Sequence, residues 1–360
     1  MKIMTVVGAR PQFIKAAAVS RVLRKENTEI LVHTGQHYDE NMSGIFFEEL
    51  KIPKPDFNLG VGSASHGKQT GEMLIKIEEL LLSEKPDAML VYGDTNSTLA
   101  GALAASKLHV QVAHVEAGLR SFNKLMPEEQ NRVLTDHISD ILFCPTGTAA
   151  DNLRKEGITS GVYEVGDVMC DALYFYKSIA EKQYHDFNLL ESLFDKPSAN
   201  LNRGYYLATI HRAENTDGAE SLKKILAAFE NFDAPVIFPV HPRTRPLVAS
   251  LQNENNYKNI HFVAPVGYIY MLYLAFNAKK IVTDSGGLQK EAYLLKVPCV
   301  TVREQTEWIE TLRGGWNILA HPETDDILRK VSDTKADPTL RGDYYGDGHA
   351  AEKICEILKR

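Results

Sequence analysis

The polar residues of this 360-residue chain that could do chemistry cluster at the ends of short apolar runs. One run closes on Tyr92 and is followed by Gly93-Asp94-Thr95-Asn96-Ser97; the next closes on His114-Val115 and leads straight into Glu116. Thr95 or Ser97 is sufficient to cap a following helix, which leaves Asp94 available for other work. Glu116 emerges from its apolar run with no helix surface to explain it. Shortly after, Met126-Pro127-Glu128-Glu129-Gln130-Asn131-Arg132 opens another helix, where an acidic residue is most often only a partner for the helix dipole. Three carboxylates on adjacent loop ends, Asp94, Glu116 and Glu128, shift one another's pKa toward acid/base use.

Cations and glycines mark the other junctions. The first apolar run ends in Gly8-Ala9-Arg10-Pro11, with Lys15 one turn further on. The G-x-G-x-x-G dinucleotide fingerprint is absent there. Arg10 and Lys15 lie near a helix N-terminus that favours an anion such as a diphosphate, the alternative being an ordinary turn with two solvated cations. His211 and His241 each stand at a strand end, with Arg212 and Arg243 close behind. A lone histidine is more often structural, but two in this setting favour phosphate. In Thr283-Asp284-Ser285-Gly286-Gly287-Leu288-Gln289-Lys290-Glu291, the serine hydroxyl, the glycine N–H groups and a helix dipole suit a phosphate. Glu291 could accept hydrogen bonds from ribose hydroxyls. The alternative is a glycine turn that only packs helix on strand.

The elements that must position these residues alternate regularly. Runs rich in Val, Ile and Leu at 3–7, 30–33, 88–92, 110–115, 141–144 and 162–165 suit strands buried on both faces. Helical spacing is plain over 69–82, where Met73, Leu74, Ile77, Leu80 and Leu81 share a face, and a second helix is expected over 97–107. Residues 183–204 carry Pro197, Asn200, Asn202 and Gly204 and read as a linker. A second series follows, with strands at 205–210, 236–240, 260–263, 280–283, 299–302 and 317–320 and helices including 221–231 and 287–295. The expectation is an α/β protein of two Rossmann-like, doubly wound domains facing across a cleft, 1–182 and 205–345, with a terminal helix in 346–360. In such sheets ligands bind beyond the carboxyl ends of the strands.

Composition narrows the classes further. Forty basic against 47 acidic residues give a net charge of −7, and 44% of the chain is hydrophobic. That is an ordinary globular composition, not a disordered or collagen-like one. No long basic run supports a nucleic-acid or membrane-surface role. Cys144, Cys170, Cys299 and Cys355 show neither C-x-x-C nor zinc spacing and read as buried free thiols in a reducing compartment. The apolar run of MKIMTVVGARPQF is too short for a signal-peptide core. No stretch approaches the roughly 20 apolar residues of a membrane helix. A cytoplasmic protein is expected.

Taken in order, GARPQFIK, TGQHYD, YGDTNSTLAGALAA, HVEAGLRS, MPEEQNR, HR-x-EN and TDSGGLQKEA resemble the non-hydrolysing UDP-N-acetylglucosamine 2-epimerase family across essentially the whole chain. The resemblance implies the GT-B arrangement, a homodimer, a UDP-sugar in the cleft and no metal or redox cofactor. It places catalytic roles on Asp94, Glu116, Glu128 and His211, and nucleotide or phosphate contacts on Arg10, Ser285, Gly286, Gly287 and Glu291. Lys15 and Arg132 match further active-site positions, and His241 matches one associated with a regulatory substrate site. Two features depart from the common pattern. Trp308 and Ile309 stand where many members have an arginine and a proline, and Gln12 stands where glutamate is common. Together with TGQHYD these resemble a branch that includes epimerases of UDP-2,3-diacetamido-2,3-dideoxyglucuronate.

The implied reaction explains the residue types. The C2 proton of a UDP-2-acetamido sugar is not acidic, so a base alone cannot remove it. Breaking the anomeric C–O bond creates oxocarbenium character at C1 and makes that proton labile. UDP then leaves, a 2-acetamidoglucal forms, and UDP adds back with the proton on the opposite face. Cations and the Ser285 turn suit the departing diphosphate, and the carboxylates suit the proton transfers. The rivals are a hydrolysing relative, a retaining glycosyltransferase of the same architecture and a non-catalytic UDP-sugar sensor.

Overall fold

The computed structural model describes residues 1–35, 50, 52–194 and 204–359, the side chain of Arg10 excepted. The chain forms two compact units, Met1–Phe175 with Asp343–Arg360, and Tyr176–Gly342.

The first unit is built on seven strands: β1 Lys2–Val7, β2 Thr28–His33, β3 Phe57–Asn58, β4 Ala88–Tyr92, β5 Gln111–Val115, β6 Ile141–Cys144 and β7 Val162–Glu164. Its helices are α1 Arg10–Leu23, α2 His66–Glu84, α3 Asn96–Lys107, α4 Pro127–Ile138, α5 Gly147–Lys155 and the first half of α6 Val168–Gln183. The strand order is β3-β2-β1-β4-β5-β6-β7, and each pairing is parallel, with Val6 opposite both Val32 and Val91. All five residues of β4 are buried, as a strand covered by helices on both faces requires. Along α2, Met73, Ile77 and Leu81 are buried at helical spacing against the sheet, while Ile75 and Leu82 point outward. The two-residue β3 carries too short a pattern to read from the sequence.

The second unit carries β8 Tyr206–Thr209, β9 Val236–Pro239, β10 Ile260–Val263, β11 Lys280–Thr283, β12 Cys299–Val302 and β13 Asn317–Ala320. They order as β10-β9-β8-β11-β12-β13, and Thr283 of β11 sits in parallel register opposite Thr209 of β8. Helices α7 Ala213–Thr216, α8 Ala219–Glu230, α9 Arg245–Asn255, α10 Tyr268–Asn277, α11 Gly286–Leu295 and α12 Thr324–Asp333 alternate with them. Leu222, Ile225, Leu226 and Phe229 of α8 pack against the sheet in a large apolar core. Both units are therefore the doubly wound α/β layers expected. The boundary between them falls within α6 rather than at a linker over 183–204, and residues 195–203 lie outside the described ones.

The final helix, α13 Ala350–Leu358, belongs to the first unit and packs on α1. Its amphipathic face presents Ala351, Ile354, Cys355 and Leu358 as buried residues. Asp171 of α6 caps it from outside, its carboxylate accepting from Ala350 N at 3.1 Å and Ala351 N at 2.7 Å. These N–H groups have no partner within the helix, so a side chain from elsewhere supplies one. All four cysteines are buried free thiols. Among the described residues no helix is long and apolar enough to cross a membrane.

Burial pushes the Asp171 carboxyl up to about 6, against the pull of the two N–H donors. A carboxyl raised in the folded state keeps its proton there while the unfolded chain has already lost it. Its contribution to stability is therefore present at low pH and lost as pH rises through about 6. Urea unfolding from pH 4 upward should show this decline in the parent protein and a smaller one in Asp171→Asn; identical pH slopes would refute it.

Candidate functional site

In a doubly wound sheet the ligand crevice lies where the strand order reverses. In the first unit the chain runs outward from β1 to β2 and β3, then returns to the other side of β1 as β4. The reversal therefore lies between β1 and β4, and the chemistry-bearing residues gather at its carboxyl end.

Gln12 organises this edge. Its Oε1 accepts from Gly8 N at 2.8 Å and Ala9 N at 3.0 Å, and its Nε2 donates to Tyr92 O at 2.7 Å and Thr95 Oγ1 at 3.0 Å. One amide thus ties the β1–α1 turn to the end of β4. It also changes the reading of that turn as an anion cradle, because the Gly8 and Ala9 N–H groups already have a partner. The Arg10 side chain lies outside the described residues.

Thr95 is the N-cap of α3, accepting from Thr98 N at 3.4 Å, while the Thr98 hydroxyl accepts from Thr95 N at 3.2 Å. Asp94 is consequently spared from capping. Its Oδ2 lies 2.6 Å from Arg132 Nη2, with 28% of its side chain exposed. Asn131 Nδ2 holds the Asp94 carbonyl at 2.9 Å. Burial pushes the Asp94 carboxyl up, Glu116 and Glu128 push the same way, and Arg132 and Lys15 oppose them; the net direction is upward.

Glu116 has φ +75°, an uncommon conformation for a residue with a side chain. Strain of this kind persists where surrounding structure imposes it, and it concentrates at functional sites. Its buried carboxylate forms an ion pair with Lys15 of α1. Gly93, at φ +64°, lies against that pair: a Cβ there would sit 3.3 Å from Glu116 Oε2 and 3.6 Å from Lys15 Nζ. Lys15 is thus a partner of the carboxylate cluster.

Of the adjacent glutamates opening α4, Glu128 is exposed and Glu129 is buried. Glu129 accepts from Ser121 N and Phe122 N, both at 2.8 Å, and from Arg132 Nη1 at 2.8 Å. Burial would raise its carboxyl, but these hydrogen bonds outweigh it and the net shift is downward. Glu129 therefore anchors the 121–122 loop and aims Arg132 at Asp94. Behind the site the buried His114 bridges Asp136 Oδ1 and Gly93 O, each at 2.7 Å. Asp136 also accepts from Arg120 Nη1 at 2.6 Å. Sequence reasoning missed Gln12, Glu129 and His114 as site supports. Their signal was a polar side chain within a buried stretch, which alone does not name a partner.

In the second unit the order reverses between β8 and β11. Asp284, fully buried just after β11, is the organiser that sequence reasoning left unassigned. Its carboxylate accepts from His211 N, Arg212 N and Asn215 Nδ2 at 2.9 to 3.2 Å. This pins the loop after β8 to the start of α11. The His211 ring is 39% exposed, with Nδ1 3.5 Å from Asp284 Oδ1, and its centroid lies 5.8 Å from that of His241. Ser285 is the N-cap of α11, its Oγ accepting from Leu288 N at 3.4 Å. Glu291, one turn along, is buried and accepts from the Tyr268 hydroxyl at 3.1 Å. The 306–311 segment is tied to α11 through Gln289, whose Oε1 accepts from Thr306 Oγ1 and whose Nε2 donates to Thr311 Oγ1. Trp308 stacks against Lys290, whose Nζ is 4.0 Å from the ring centroid.

Each unit thus places its polar groups at the reversal point of its own sheet. The first offers paired carboxylates and cations suited to moving protons; the second offers a helix N-terminus with a hydroxyl, two glycines and an imidazole, suited to an oxyanion. Gln36–Asp39 of the TGQHYD segment lie outside the described residues. Among the described residues no group of three or more His, Cys, Asp or Glu side chains is placed to hold a metal ion.

A sequence model of the UDP-N-acetylglucosamine 2-epimerase family matches residues 21–359. A UDP-N-acetylglucosamine 2-epimerase homolog of Methanococcus maripaludis is 56% identical, with 100% of this chain and 99% of that protein covered. The UDP-2,3-diacetamido-2,3-dideoxy-D-glucuronate 2-epimerase of Pseudomonas aeruginosa is 48% identical, with both chains covered in full (100% of each). Among solved structures, the UDP-GlcNAc 2-epimerase of Methanocaldococcus jannaschii in complex with UDP-GlcNAc and UDP superposes with a TM-score of 0.84 at 44% identity, covering 100% of this chain and 99% of that one.

Two measurements test this geometry. Lys15→Met leaves Glu116 charged and buried without its cation, so unfolding in urea should show a loss of about 3–5 kcal/mol, with Lys15→Arg losing less. An unchanged Lys15→Met would show that the pair does not hold the site. Removing a like charge should lower the Asp94 pKa, so carbon NMR of the Asp94 carboxyl should titrate at lower pH in Glu128→Gln than in the parent.

Proposed function

The chain belongs to the UDP-N-acetylglucosamine 2-epimerase family, and we propose that it interconverts UDP-N-acetylglucosamine and UDP-N-acetylmannosamine by eliminating UDP and adding it back. The observation that carries this reading is the carboxylate cluster at the β1/β4 reversal. Asp94 and Glu116 both follow closely after strands, both are largely buried, and each is paired with its own cation. A protein that only binds nucleotide needs the oxyanion groups of the second unit but not this arrangement.

The chemistry divides between the two sets of residues. The Ser285-Gly286-Gly287 turn and the α11 N-terminus stabilise charge on the departing diphosphate, with His211 held beside them by Asp284. Such preorganised donors need no reorientation as charge develops, and one of them is typically worth about 10²- to 10³-fold in rate. Glu291 takes the ribose hydroxyls. As the C1–O bond breaks, a carboxylate of the first unit takes the C2 proton, and C1=C2 of the 2-acetamidoglucal forms. A second group returns a proton to the opposite face of C2, and the diphosphate oxygen re-forms the bond to C1. The upward shift of Asp94 suits it to carry a proton between steps. Lys15 and Arg132 keep the neighbouring carboxylates charged when one of them is neutralised.

A second reading concerns the sugar. The Thr306-Glu307-Trp308 sequence and the 48%-identical Pseudomonas aeruginosa relative favour a 2,3-diacetamido-2,3-dideoxyglucuronate in place of N-acetylglucosamine. The resemblance also supports a cytoplasmic homodimer, a regulatory substrate contact at His241 and a role in supplying a polysaccharide pathway.

Asp94→Asn and Glu116→Gln should each lower turnover by about 10²- to 10⁴-fold while UDP affinity stays near that of the parent. In deuterium oxide the parent should return UDP-sugar labelled at C2. Release of free sugar would indicate a hydrolase, and an unlabelled UDP-sugar with an intact acceptor requirement would indicate a transferase. Near-normal turnover in both variants would refute the acid/base assignment.

A further inference from the structure

Arg303 follows β12 and is held close to the Ser285 turn, with only 10% of its side chain exposed. Its Nη1 is fully buried and, among the described residues, donates no hydrogen bond. Glu307 Oε2 lies 3.1 Å from it, close enough for attraction but not aligned as a hydrogen bond. A buried guanidinium with unused N–H groups is costly, and native proteins rarely leave one without a reason. The unused groups face the second unit's oxyanion site. A Cβ on Gly286, the first residue of α11, would lie 3.4 Å from Arg303 Nη1, 2.7 Å from Glu307 Oε1 and 3.4 Å from Trp308 Nε1. Glycine at 286 therefore keeps the helix N-terminus within reach of this arginine. A carboxylate, that of Glu307, lies beside both of them.

We propose that Arg303 is an oxyanion ligand for the UDP-sugar, reached past Gly286, and that Glu307 is a built-in competitor which the ligand displaces from the guanidinium. The inference rests on the reading of the protein as a UDP-sugar enzyme. Planar guanidinium groups bind phosphate and carboxylate alike, through two parallel N–H donors. The oxyanion is therefore either the diphosphate or, in a uronate substrate, the sugar carboxylate. Glu307 explains how the cation tolerates burial before the ligand arrives. It also predicts opposite effects from the two halves of the pair.

Calorimetric titration of UDP, UDP-N-acetylglucosamine and UDP-N-acetylglucosaminuronic acid into the parent, Arg303→Met, Arg303→Lys and Glu307→Gln tests this, with thermal melts confirming folding. Arg303→Met should weaken binding by roughly 10- to 100-fold, as expected for losing hydrogen bonds to a charged group, and Arg303→Lys should recover part of that loss. Equal weakening for all three ligands assigns the diphosphate; weakening confined to the uronate assigns the carboxylate. Glu307→Gln should bind the same ligands more tightly than the parent. A folded Arg303→Met that binds all three as the parent does, or a Glu307→Gln no tighter than the parent, overturns the proposal while leaving the epimerase reading intact. If Arg303→Met does not fold, Glu307→Gln alone decides. A parent protein that binds none of the three overturns both.

Discussion

Burying several carboxylates at one sheet edge is the constraint around which the first unit is organised. A lone ionised carboxylate taken out of water is strongly disfavoured, and a second nearby makes matters worse. The protein answers with one cation for each inner carboxylate, Lys15 for Glu116 and Arg132 for Asp94. Those cations must themselves be held in place. Arg132 is fixed by Glu129, which is fixed in turn by the backbone of Ser121 and Phe122. Lys15 is carried on α1, whose first turn is clamped to β4 by Gln12. The left-handed backbone at Glu116 is tolerated because its neighbours over-determine it, with its N–H bound to Phe143 O at 3.1 Å and its carboxylate paired.

The second unit solves a different problem with the same architecture. The proposed oxyanion site needs its surrounding loops held in fixed positions. Asp284 provides this by consuming the backbone N–H groups of His211 and Arg212, which fixes the loop after β8 while leaving the imidazole partly exposed. The threonine pair at Thr209 and Thr283, 2.6 Å apart, fastens the same two strand ends. Rigid support of this kind lets donors act without reorganising as charge develops.

The alternation of short apolar runs with amphipathic stretches was enough to read both sheets, because strands covered on both faces leave few other sequence patterns open. The strands β4, β6, β10, β11, β12 and β13 fall on the residues expected for them. The two-residue β3 escaped because nothing in two residues is periodic. The terminal helix was legible as a helix, but its place on α1 was not, since an amphipathic face says that it packs and not against what. The expected break over 183–204 gave way to one within α6. A helix continuing through a boundary leaves no turn signal.

Residue type and position relative to the strand ends, then, were written in the one-dimensional chain. Asp94 and Glu116 follow strands, and Thr95 offers a capping hydroxyl that releases Asp94. Family resemblance added names for their roles. Only the tertiary structure decided partnership: that Lys15 serves Glu116, that Glu129 rather than Glu128 anchors Arg132, that Asp284 braces His211, and that Arg303 faces Gly286. The physical reason is that three of these pairs join residues 17 to 101 positions apart, while Glu129 and Arg132 lie one turn apart in the same helix. Their energy depends on distance, alignment and burial, and none of those is defined until the chain has folded.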